Sequence, residues 1–332
     1  MKFLSLLALA VSSKVAFAAL GPLGGLNTAG WDFGVGTDGN LAAGSGVAPP
    51  PDQFAHFASQ GVNIFRIPFA WQLMTPTLGG DIDEGWFSQY SASVQAARTS
   101  STNPYVIVDV HNYARWNGGI VNQGGPSNDQ FADFWGKVAG KFKDDDHIIF
   151  GVMNEPHDLD VPTWTQSVQA AINAIRSAGA NSQYILMPGS SYSSAGALPT
   201  EAGPALVKLT DPAGGVEKLL FDVHYYLDSD SSGTHTDCTK NGVDDLTNLV
   251  NFLKSNGNRQ AILSETGGGS TSSCETDLNQ ELAYVKNNAD TLIGFTAWAA
   301  GAFDTSYTLS LTPNADGSDQ AIWTQGVKPN LP

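Results

Sequence analysis

Apolar residues fall in short runs along the chain. After a weak first run at residues 23–31 come 62–67, 105–110, 148–153, 184–187, 219–223, 260–263 and 292–298. Their centres recur every 33–43 residues. The runs are too continuously apolar for strands with one wet face, so they predict strands covered on both sides. Most gaps hold a helix-like stretch: 84–98, 128–143, 161–178, 244–255 and 275–289. A further helix is expected from Asp52, after the stiff Pro49-Pro50-Pro51. Eight strand–helix units predict an α/β chain closed into a (β/α)8 TIM barrel. A doubly wound open sheet would carry a glycine-rich phosphate turn after its first strand, and residues 21–25 lack that spacing.

The N-terminus changes the expected compartment. Lys2, a nearly apolar stretch and Ala16-Phe17-Ala18 have the form of a secretory signal peptide over residues 1–18. Residues 19–332 are then expected to form one domain, with no linker and no small cysteine-rich module at either end. Charged residues make up only 14%, and the formal net charge is −16, becoming −18 once Lys2 and Lys14 are removed. Such a surface repels phosphate backbones, which argues against nucleic acid as a partner. No membrane span is expected after the N-terminus. The only two cysteines, Cys238 and Cys274, are expected to pair in an exported protein. Zinc is the weaker alternative, since two cysteines fall short of four ligands. No Asn-x-Ser/Thr acceptor occurs.

In a parallel barrel the chemistry lies at the carboxyl ends of the strands. Arg66 lies at the end of the second run, and Asp109, His111 and Asn112 end the third. Asn154 and Glu155 follow the fourth. Asp222, His224 and Tyr226 end the sixth, Glu265 the seventh and Trp298 the eighth. Side chains two apart share a face, which puts His111 beside Asp109 and His224 beside Asp222. Asp109 reads as a buried partner. Glu155 and Glu265 follow opposed strands and can face each other across the mouth. One protonated and one ionised carboxyl group is what glycoside hydrolysis requires. Carbohydrate rings stack on aromatic side chains. Of eight tryptophans, Trp31, Trp71, Trp116 and Trp298 lie at or just beyond strand ends. For the first three, core packing is as good a reading as a sugar platform.

The blocks 149–157 (IFGVMNEPH), 107–119 (IVDVHNYARWNGG), 221–224 (FDVH) and 261–269 (AILSETGGG) together resemble secreted fungal endo-β-1,4-glucanases of glycoside hydrolase family 5. The resemblance runs from about residue 30 to 309. It implies that Glu155 is the acid/base, that Glu265 is the nucleophile, and that Arg66 keeps Glu265 ionised. It also implies that Asn154 bonds the sugar 2-hydroxyl. His111, His224 and Tyr226 would shape the subsite, with Trp298 as its floor. Tyr225 departs from the polar residue common between His and Tyr in that family. The implied substrate is a β-1,4-glucan cut internally with retention, by a monomer needing no cofactor or metal. A β-mannanase or xyloglucanase on the same catalytic set is the runner-up. A metal-dependent hydrolase built on Asp109, His111 and His224 and a non-catalytic sugar-binding barrel are the rivals from other classes.

Overall fold

The computed structural model describes residues 20–332, and the signal peptide expected at 1–18 lies outside them. The barrel strands are β1 (Leu23–Ala29), β2 (Ile64–Phe69), β3 (Tyr105–Val110), β6 (Ile148–Gly151), β7 (Tyr184–Pro188), β8 (Leu219–His224), β9 (Ala261–Glu265) and β10 (Leu292–Gly301). They pair in that order, and β10 closes on β1. A two-stranded hairpin, β4 (Arg115–Trp116) and β5 (Gly119–Ile120), follows β3.

The helices are α1 (Asp52–Ala58), α2 (Trp71–Met74), α3 (Glu84–Arg98), α4 (Asn128–Phe142), α5 (Val161–Ser177), α6 (Gly203–Leu206), α7 (Val243–Ser255) and α8 (Ser272–Asn287). Their starts are set locally. The side chains of Asp83, Ser127, Asp160 and Thr271 each accept a backbone N–H of the first turn in α3, α4, α5 and α8. No helix among the described residues is long and apolar enough to cross a membrane.

The interior of the barrel is layered. Leu23, Ile64, Ile107, Ile149, Leu186, Leu220, Ile262 and Ile293, one from each strand, fill its amino-terminal half. Above them lies a fully buried polar layer that includes Asn27, Arg66, Asp109, Asp222, Ser264 and Thr296. The change from aliphatic to polar marks the reactive end. A larger apolar cluster between sheet and helices holds Trp71, Trp135, Trp164 and Trp323. The first run is weakly apolar for a geometric reason. A Cβ at Gly25 would stand 1.7 Å from the Ile64 carbonyl oxygen, so the β1–β2 approach admits only glycine.

Element boundaries moved from those expected. β6 stops at Gly151, two residues short of the apolar run, because the chain then turns over towards Glu155. The fifth unit has only the single turn of α6, where no helix was expected. Cys238 and Cys274 form a disulfide joining the β8–α7 loop to α8.

Candidate active site

Arg66 organises the site from the middle of β2. Its Nη1 donates to Glu265 Oε1 and to Asn27 Oδ1, the latter at 2.9 Å. Its Nη2 donates to Asn154 Oδ1 at 2.8 Å and lies 3.0 Å from Asp109 Oδ2. The guanidinium has no exposed surface, so its five donors can be satisfied only by the groups around it. Asn27 in turn anchors its amide on the Ser264 and Thr296 carbonyls, at 2.9 and 3.1 Å. Its position in a weakly apolar strand obscured this role. A lone polar residue two beyond Gly25 on the inward face is the one signal that could have exposed it.

Glu265, at the end of β9, accepts Arg66 on one oxygen and the Tyr226 hydroxyl on the other, at 2.8 Å. Burial alone would push its carboxyl up. The charges of His224 and Arg66, then His111 and the Tyr226 hydrogen bond, pull it down to about 2. It is therefore ionised at any ordinary pH.

Glu155 comes four residues beyond the end of β6 and is held at φ +44°. That left-handed conformation is uncommon for a side chain with a Cβ and is concentrated at functional sites. Its Oε1 is 2.8 Å from His224 Nδ1, which is also 3.5 Å from Glu265 Oε2. An oxygen of Glu155, one of Glu265 and a His224 nitrogen all lie within 4.8 Å of one another. Burial disfavours the His224 cation, but Glu265 and Glu155 on either side outweigh it and raise its pKa. Nδ1 of His111 bonds Asp109 Oδ2 at 2.9 Å, as residues sharing a face should.

Trp298 stacks against the His111 ring with centroids 5.4 Å apart and donates its indole N–H to the Tyr307 hydroxyl at 3.0 Å. It is only 8% exposed. Phe33, Phe303 and Tyr307 pack around this corner of the mouth.

Three expected site residues are elsewhere. Trp31 is buried and donates its indole N–H to Ser93 on α3, so it cannot serve as a sugar platform. Trp71 is 1% exposed and packed among Trp116, Phe131 and Phe134. Asn112 is fully buried and shapes a turn. It accepts the Trp71 N–H at 2.7 Å and donates to Gln72 and the Arg115 carbonyl. Trp116 remains half-buried in the β4–β5 hairpin, edge-on to Trp71. Tyr225 turns away from the mouth and donates its hydroxyl to Asp245 on α7 at 2.8 Å.

Two aromatics at the mouth escaped the sequence reading. Tyr113 lies edge-on to His111, and burial together with the charges of Glu155 and Glu265 raises its hydroxyl pKa well above the ordinary value. Tyr192 is 44% exposed and stacks flat on His157 at 4.2 Å. Ser191, Tyr192 and Ser193 are all left-handed, and the Tyr192 N–H donates to the Pro156 carbonyl, next to Glu155. The surrounding serines gave no apolar pattern to mark it.

A parallel barrel bearing two glutamates across its carboxyl end, one held ionised by arginine, has the groups of a glycoside hydrolase. Residues 36–301 match the family described as Cellulase (glycosyl hydrolase family 5), and the chain belongs to that family. It is 64% identical to the manganese dependent endoglucanase Eg5A of Phanerodontia chrysosporium, covering 95% of this chain and 81% of that protein. It is 45% identical to endoglucanase EG-II of Hypocrea jecorina, over 94% of this chain and 76% of that one. Among solved structures, Cel5A (EG2) from Hypocrea jecorina superposes with a TM-score of 0.89 at 42% identity. That match covers 92% of this chain and 98% of the other.

Proposed function

We propose that the protein is an exported endoglucanase that cuts internal β-1,4-glucosidic bonds by retaining double displacement. The observation that carries this reading is the close approach of Glu155 and Glu265, with oxygens within 4.8 Å. A retaining pair needs its carboxyl groups ~5–5.5 Å apart, whereas an inverting pair leaves ~6.5–9.5 Å for a water. Glu265, ionised and fixed by Arg66 and Tyr226, attacks the anomeric carbon. Glu155 delivers a proton to the leaving oxygen, then takes one from water as the glycosyl–enzyme bond breaks. Asn154 Nδ2 is buried without a partner among the described residues and is free to donate to the 2-hydroxyl. Trp298 supplies the floor beneath the ring. Tyr192, beside the acid/base, is suited to stack a sugar on the leaving-group side. The names of the relatives favour glucan over mannan or xyloglucan.

One relative's name includes manganese, so the donor sets need testing. Besides the catalytic cluster, Asp228, Asp230 and His235 bring donor atoms within 4.8 Å. Asp228 already accepts the Gly233, Thr234 and His235 N–H groups, the Ser232 hydroxyl and His235 Nδ1. In the catalytic cluster the Arg66 cation already occupies Glu265. Neither set fits a resident metal without breaking bonds it now makes. Exhaustive chelation should leave activity intact, and loss restored by manganese would refute that part. Internal cutting predicts a fast fall in viscosity of a soluble cellulose derivative while few reducing ends appear. Release of single glucose units, or higher rates on mannan, would overturn the proposed substrate.

A further inference from the structure

Glu281 lies on the inward face of α8 with no exposed surface. Its Oε2 accepts the hydroxyl of Thr266, the residue after Glu265, while Oε1 has no partner among the described residues. The Thr266 carbonyl accepts the Trp298 N–H at 2.7 Å, and the Glu265 carbonyl accepts the Tyr225 N–H at 3.0 Å. The Thr266 side chain is thus a point where α8 grips the end of β9, and the same residue is tied to β10.

We propose that Glu281 is a positioning residue that, as a neutral carboxylic acid, clamps Thr266 and thereby fixes Glu265 and Trp298 in their working places. The inference rests on the reading of Glu265 as nucleophile.

The groups around Glu281 explain why it is neutral. Thr266 faces it from β9, and the Tyr225 ring and Gly242 close over Oε1; a Cβ on Gly242 would come 2.9 Å from that oxygen. The charged residues nearby are Asp244 and Asp245 on α7, which, like Glu281 itself, raise the Tyr225 pKa. Lys240 sits over the Tyr225 ring at 5.6 Å, and no ion pair joins a cation to Glu281 among the described residues. Ionising such a carboxyl strands a charge without water or counterion. Burial pushes it up to about 8, with only the Thr266 hydrogen bond opposing. Above that pH the charge must seek water, and α8 can reach it only by parting from β9.

The test is the rate at which an activated 2-deoxy-2-fluoro-β-cellobioside traps the nucleophile. Its dinitrophenolate leaving group needs no proton from Glu155, so this rate isolates the placement of Glu265. Glu281→Gln keeps an acceptor for Thr266 and cannot ionise. One pH unit above 8, roughly a tenth of Glu281 stays protonated. Relative to their own rates at pH 6, the Gln variant should then trap up to about tenfold faster than the wild type. Identical pH profiles would overturn the clamp. Glu281→Ala should lower kcat by about ten- to a hundredfold with little change in KM, the cost of a misplaced group. If that variant does not fold, the Gln comparison still decides. Peptide mapping separates the two readings. Label on Glu265 with identical profiles overturns the clamp alone, whereas label on another residue overturns the nucleophile assignment and the clamp together.

Discussion

Glu155 and Glu265 are the same side chain in different surroundings. Glu265 is enclosed by Arg66, Tyr226 and His224, all of which favour its charge. Its carboxyl is depressed to about 2, so the ionised form persists far below the ordinary carboxylate range. The associated stability is complete above the ordinary value near 4.5 and is lost as pH falls towards 2. Tyr226→Phe removes one donor to the charged form and should move the acid limb of kcat/KM to higher pH. An unmoved limb, measured on an aryl cellobioside, would show that Glu265 does not set it. Both glutamates were legible because each stands two residues past the end of an apolar run. Trp31 and Trp71 were not, because distance from a strand end does not reveal which side of the sheet a ring takes. Trp31 goes under α3 and Trp71 into the layer beneath α4. Asn112 misled for a related reason: it follows His111, yet its amide closes a turn.

At the scale of elements, the spacing of apolar runs located the eight barrel strands, since each must be buried on both faces. Their ends were less legible. The break after β6 depends on the left-handed Glu155, and the single turn of α6 on packing that no local pattern records. The β8–α7 loop carries Tyr226 at its base and is fastened to α8 by the Cys238–Cys274 disulfide. Gly268, three residues after Glu265, lies so close that a Cβ there would stand 2.5 and 2.6 Å from the two sulfurs. The bridge spans 36 positions, a loop worth roughly 3–4 kcal/mol on the chain-entropy account. Replacing both cysteines by serine should therefore lower Tm clearly. An unchanged melting curve, or free thiols titrated in the unreduced protein, would remove the disulfide from the account.

Across the whole molecule, the closed barrel sets the reaction geometry. Glu155 follows β6 and Glu265 ends β9, with two strands between them, and closure points both across one mouth. The aliphatic layer fills the barrel beneath that mouth, and the buried polar layer seats Arg66 between the two. The resulting approach, with one oxygen of each carboxyl group within 4.8 Å, is the spacing on which the proposed double displacement rests. Proton NMR of the first product released from a cello-oligosaccharide, recorded before mutarotation, tests this most directly. Double displacement predicts the β-anomer as the initial product; an initial α-anomer would contradict it.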